Sequence, residues 1–300
     1  MTTPQQPTAS LYHLTHLAII EVNGEDAGRF LQGQLTCDIN DLSPEKASIA
    51  AFCNAKGRMI STLLVIKTQL GFFLIVPAGL LDIVTKKLQM YVLRAKVKLA
   101  KPENLMLAGL NQPGNIIDFD LPTQDFYCSD NAGAVFIKMP SAPRFLCVAP
   151  LSAAERHPFK NLPTWPLAEW RFQDISVGLP WFEASQSEQY IPQMLNIDQL
   201  DGISFSKGCY TGQEIVARTH YLGKAKRQLH VAEVNEILPQ DNDFTVKDAE
   251  TQQKCGDILA LASYGSITRL LIVLQTVDDN PKNFILDNQQ HTPIKLLPRQ

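Results

Sequence analysis

Three hundred residues, 45% of them hydrophobic and with 27 basic against 30 acidic side chains, exclude a disordered chain and a general polyanion binder. With a net charge of −3, any anion site must be a local basic patch. No apolar run reaches the length of a membrane span, and residues 1–10 show no charged segment before an apolar stretch. The expectation is therefore a cytoplasmic protein without a membrane partner. Its cysteines, at 37, 53, 128, 147, 209 and 255, lack CxxC or metal-ligand spacing, so no metal site is expected. Cys37, Cys53 and Cys147 sit in or beside apolar runs and read as inert core thiols in a reducing compartment.

In chain order, the polar, Pro-containing start to residue 10 reads as a frayed terminus. A strand is predicted over 17–22, where LAIIEV is rich in β-branched residues. A helix over 24–35 would gather Ala27, Phe30, Leu31 and Leu35 on one face. Strands over 49–53 and 59–67 are joined by a tight turn at 54–57, with Gly57 supplying the awkward backbone angle. A strand over 72–77, a helix over 80–93 and a short strand over 97–99 follow. This β-α-β-β-β-α-β order is α+β and close to a split βαβ, or ferredoxin-like, plan with one extra strand. A looser second pass spans 105–180: strands near 105–110, 134–138 and 144–149, then helices near 151–158 and 166–177. Pro166 stands at the first position of the later helix. From residue 226 the pattern changes to short strands over 228–234, 244–247, 257–262, 268–277, 284–286 and 294–297, without a helix. The expected organisation is a body over 10–225, with subdomains of about 10–100 and 101–225, and a small antiparallel β-barrel over 226–300.

The strongest chemical signal is KGCYTGQE at 207–214. Thr211 and Glu214 have capping-box spacing, and Ile215, Val216 and Thr219 would continue the helix, with Arg218 and His220 near its end. Cys209 would then lie near the positive end of the helix dipole, with Lys207 close in sequence. Both would lower the thiol pKa. Gly208 and Gly212 leave the backbone uncrowded for an approaching partner. From chemistry alone a capped helix with an incidental cysteine is an equal reading. No base adjoins Cys209, His220 lies about two turns on, and one thiolate cannot hold a cluster.

KGCYTGQE, preceded by GISF at 202–205 and followed by IVAR at 215–218, closely resembles the signature of the YgfZ family. That family is related in fold to the folate-binding T-protein (aminomethyltransferase) of glycine cleavage. Further matching strings are FLQGQLT at 30–36, KGR at 56–58, LRAKV at 93–97, GLP at 178–180, IPQMLN at 191–196 and KAKR at 224–227. The resemblance implies an aminomethyltransferase-like body that binds tetrahydrofolate and serves as an accessory to iron–sulfur enzymes, including those that methylthiolate transfer RNA. The partners it implies are folate, iron–sulfur enzymes or assembly factors, and tRNA-modifying enzymes.

It implies Cys209 as the working thiol with Lys207 beside it, and Gly208, Tyr210, Thr211, Gly212, Gln213 and Glu214 as the motif around them. It implies a central folate cavity with this loop near its mouth. Trp170 matches a folate-contacting position; the other reading is a helix tryptophan packed in the core. Leu17 stands where a second contacting tryptophan is found in the family. Ser176 replaces a glutamate that grips the pterin, with Asp174 or Glu183 as substitutes. Gln193, Asn196 and Asp198 either line the cavity or satisfy loop backbone.

Lys56, Arg58 and Arg218 are candidate contacts for the folate tail or other anions. With Lys224, Lys226 and Arg227, Arg218 makes a local basic patch, but too few aromatic residues interleave with it for a nucleic-acid stacking platform. Direct nucleic-acid binding is therefore not expected. Two other readings stand beside the accessory role: a folate-dependent aminomethyltransferase, against which Ser176 and the branch-specific loop argue, and a non-catalytic RNA- or partner-binding module built on the patch.

Overall fold

The computed structural model describes residues 9–112, 119–131, 133–141, 143–155, 161–239, 244–275 and 283–298. Strand β1 (Ser10–His13) comes first, and Ser10, expected to fray, is fully buried in it. Then β2 (Leu17–Asn23), α1 (Ala27–Gln32), β3 (Ser48–Cys53), β4 (Met59–Lys67), β5 (Gly71–Pro77), α2 (Leu81–Val92) and β6 (Lys98–Ala100) follow the predicted order. They form a five-stranded sheet β3-β4-β5-β2-β6 in which every neighbouring pair is antiparallel. The apolar run of β4 lacks alternation because the strand is buried on both faces up to its last residue. Val84, Leu88 and Val92 repeat every four residues along α2, giving the helix a single buried stripe.

The second sheet runs β1-β7-β10-β9-β8, from β7 (Leu105–Asn111), β8 (Cys128–Asn131), β9 (Ala134–Lys138) and β10 (Arg144–Pro150). Strand β1 thus leaves the amino-terminal subdomain to pair with β7, Ser10 opposite Asn111. The helix expected over 151–158 is a 3-10 turn at Leu151–Glu155 within the described residues; the rest of that range lies outside them. Helix α3 (Leu167–Ser176) has Pro166 as its N-cap and not, as expected, as its first helical residue.

Beyond α4 (Gln213–Leu222), strands β11 (Arg227–Val234), β12 (Thr245–Asp248), β13 (Lys254–Tyr264), β14 (Ile267–Gln275), β15 (Phe284–Leu286) and β16 (Pro293–Leu296) close a six-stranded barrel, as the sequence pattern predicts. Leu270 to Leu274 are all buried because alternate residues serve different cores. Leu270, Ile272 and Leu274 fill the barrel, whereas Leu271 and Val273 join the central core with Leu17, Leu31 and Trp170. Asn196 Nδ2 and Gln186 Nε2 pin the barrel to the body by donating to the carbonyls of Leu229 at 3.0 Å and Ile258 at 2.9 Å.

Candidate functional site

The end of α3 and the chain that leaves it wall a partly open cavity of about 390 Å³ against the barrel. His16, in the turn before β2, and Pro77, at the end of β5, line it, with Asp174 and Ile175 from α3, Trp181 and Phe182 from the following segment, and Leu259 from β13. The buried polar groups of this wall carry its chemistry.

Asp174 is 2% exposed, and its Oδ1 accepts a 2.6 Å hydrogen bond from Nη1 of Arg144, which is entirely buried. Nε of Arg144 donates to the Pro140 carbonyl at 3.2 Å, and its guanidinium lies 4.8 Å from the Trp170 ring centroid. The other carboxylate oxygen, Oδ2, is buried without a hydrogen-bond partner and stands 4.0 Å from Nε2 of His16. Trp181 Nε1 and both ring nitrogens of His16 are likewise buried and unpartnered. An unmade bond at a buried charged group costs about 1–3 kcal/mol or more, so complementary donors and acceptors brought to this wall would be favoured.

Several expectations for this site need correction. Trp170 does not line the cavity: it is 1% exposed, tilted against Tyr12 at 5.5 Å between centroids and packed on Gly109, where a Cβ would fall 2.5 Å from the indole. Core packing is its role, and Trp181, eleven residues on and directly after the GLP string, is the aromatic wall. Leu17 is paired with Pro77 and lines a different, shallow groove, while its neighbour His16 reaches the cavity. Gln193 and Asn196 line neither cavity nor cleft; Gln193 Nε2 donates to the Val216 carbonyl at 2.6 Å, and Asn196 serves the barrel joint. Ser176 turns its hydroxyl back to the Phe172 carbonyl at 2.7 Å, whereas Asp174 and Glu183 both line the cavity. Only the neighbouring GLP string pointed to Trp181, and nothing in the sequence pattern pointed to His16.

The 207–214 loop faces elsewhere. The preceding residues Ser204, Phe205 and Ser206 line a second, larger cleft of about 870 Å³, together with Asp38, Tyr127 and Val177. Residues 174–177 therefore divide the two spaces, with Asp174 and Ile175 on one side and Val177 on the other. Lys207 is buried, and its Nζ donates to the carbonyls of Leu35 at 2.9 Å and Cys37 at 2.7 Å while lying over the Tyr210 ring. Its ammonium anchors the loop to the β-sheet body, and desolvation lowers its pKa to about 8. Thr211 does not cap α4. The N-cap is Gly212 in a left-handed conformation (φ 85°), and Thr211 Oγ1 instead meets Gln34 Oε1 at 3.3 Å.

Cys209 is exposed, while the other five cysteines are buried. Burial pushes the thiols of Cys37 and Cys128 up to about 12 and raises those of Cys53 and Cys147 as well, which makes them poor nucleophiles. Lys56 and Arg218 are exposed outside the cavity, and Arg58 Nη1 donates to the Gln189 carbonyl. His220 stacks on Phe205 at 3.7 Å. Among the described residues no cluster of metal ligands occurs, and no helix is long and apolar enough to cross a membrane.

Comparison with known proteins agrees with this architecture. Residues 5–108 match the model of the GCVT N-terminal domain. The tRNA-modifying protein YgfZ of Colwellia psychrerythraea is 32% identical over 265 residues, spanning 85% of this chain and 82% of the relative. Its counterpart in Klebsiella pneumoniae is 30% identical over 296 residues, spanning 93% and 90%. The crystal structure of the glycine cleavage aminomethyltransferase T from Bartonella henselae superposes with a TM-score of 0.71 at 13% identity, over 96% of this chain and 85% of that one. The last of these is a likeness of fold.

Proposed function

Because the chain belongs to the YgfZ family, we propose that it is a tetrahydrofolate-binding accessory protein that supports iron–sulfur enzymes, and through them tRNA modification, with Cys209 as its working thiol. The observation that carries the folate reading is the unpartnered Oδ2 of Asp174 at the wall of a cavity. A pterin presents adjacent N–H donors on one pyrimidine edge, and a buried carboxylate with one oxygen held by arginine is suited to accept from them. Trp181 and Phe182 offer apolar walls for the ring, and Arg171, also at the cavity, supplies positive charge for a glutamate tail.

The residues present thus fit the group. Bound folate supplies a carrier for one-carbon units. The chain's own part is to orient the pterin through Asp174, which Arg144 holds in place, and to exclude water with the aromatic pair. The reading of Cys209 is supported by its exposure on a loop that Lys207, Tyr210 and Gly212 hold against the body, while Gly208 beside it leaves open space. The iron–sulfur role rests on the resemblance of the 207–214 loop alone, whereas the tRNA-modification context is supported by relatives that are tRNA-modifying proteins.

Calorimetric titration with tetrahydrofolate tests the first part: saturable binding is expected, and a correctly folded protein without it sinks the reading. Measuring methylthiolated nucleosides in cells that carry Cys209→Ala tests the second; wild-type levels would remove Cys209 from the mechanism.

A further inference from the structure

The 18 residues between Glu214 and Glu233 hold Arg218, Lys224, Lys226 and Arg227 and no carboxylate, in a chain whose overall charge is −3. Arg227 is paired with Asp257 at 2.9 Å, while Arg218, Lys224 and Lys226 are exposed around the end of α4. In the sequence only His220 and Tyr221 interleave with this patch, and the fold adds a third ring. Phe205, which precedes the motif loop, stacks on His220 with centroids 3.7 Å apart and planes at 14°. Tyr221 stands edge-on to His220 at 4.7 Å and is 65% exposed, and the adjacent Leu222 is 82% exposed. Two segments that meet only in the folded chain thus set a preformed aromatic cluster among cations, beside the 870 Å³ cleft that Phe205 also lines.

We propose that this surface binds single-stranded RNA, with Tyr221 and the His220–Phe205 stack offering π faces to unstacked bases and Arg218, Lys224 and Lys226 contacting phosphates. Charge complementarity alone would also admit an acidic protein segment. The stacked rings favour the nucleic acid, because aromatic faces flanked by cations are what sequence-tolerant single-strand binders use. The site is separate from the folate cavity, none of whose lining residues it shares.

The test is fluorescence anisotropy of a labelled oligouridylate of about 15 nucleotides, a span suited to one such site. Saturable binding by the full chain is expected. Tyr221→Ala should weaken it about tenfold and Tyr221→Phe should restore it, since the ring and not the hydroxyl is required. The double variant Lys224→Gln, Lys226→Gln should reduce the slope of log affinity against log salt by about 1.4, two single-strand phosphate contacts. Tetrahydrofolate affinity should be unchanged in all three. Failure of the wild type to bind, or unchanged binding by both the alanine and the double variant, overturns the proposal. So does equal affinity for an abasic phosphodiester chain, or tighter binding of polyglutamate, which would mark the patch as plain electrostatics or as a dock for an acidic protein.

Discussion

Gly212 of the motif loop and Gly57 of the β3–β4 turn meet backbone to backbone: a Cβ built on Gly212 would stand 2.9 Å from the Gly57 Cα and 2.5 Å from the Asn54 carbonyl oxygen. Both residues have positive φ, 85° and 67°. The second glycine of KGCYTGQE is therefore demanded twice, by its left-handed angle and by the turn it rests on. Gly212→Ala should destabilise the protein by about 2–4 kcal/mol, from strain and overpacking together. Urea unfolding checks this, and a loss below about 0.5 kcal/mol would show that the turn yields.

The Asp174 carboxylate should be read through its ligand. Replacing the 2-amino group of tetrahydrofolate by methyl removes one donor from the pyrimidine edge and should weaken binding about tenfold or more, since a buried acceptor is left unpaired. Equal affinities would show that Asp174 does not face that edge. Asp174→Asn would be a blunter probe, because it leaves the guanidinium of Arg144 buried without its counter-charge, a loss of about 3–5 kcal/mol in stability.

Lys207 makes the protein's stability depend on alkaline pH. Burial holds its folded pKa near 8, below the unfolded value, so across the window between them the unfolded state binds more protons and stability rises with pH. Below pH 8 the penalty for the buried ammonium is present in full. Relative to Lys207→Met, the wild type should gain roughly 2 kcal/mol between pH 7 and pH 9.5 in denaturant titrations. A difference that stays flat would mean that the carbonyls of Leu35 and Cys37 fully offset desolvation.

Cysteine chemistry gives a fourth test. A brief iodoacetamide treatment of the folded protein should add a single carbamidomethyl group, at Cys209, whereas denatured protein takes up six. Early labelling at Cys37 or Cys128 would show that the body opens there.

How much of this was legible in the sequence follows the range of the interactions. The first sheet and the barrel were, because alternation, turns and local helix faces are short-range patterns. Strand β1 was not: four residues beside a Pro-containing start carry too little pattern, and their partner β7 lies about a hundred residues away. The loop at 207–214 was legible as a unit, but its N-cap was misplaced, because the contact with Gly57 overrides the hydroxyl of Thr211. Trp170 read equally as a folate contact or a core residue, since only the close approach of Gly109, distant in sequence, entombs its indole. The same applies to the aromatic cluster on α4, whose third ring comes from residue 205.

The double burial of β14 has a consequence for how the molecule comes apart. Leu271 and Val273 complete a core whose other members lie in the body, so a chain cut before residue 227 would present raw hydrophobic surface to water. The barrel is therefore no detachable module. Calorimetry should show one endotherm with equal calorimetric and van 't Hoff enthalpies, and limited proteolysis should leave no surviving body fragment.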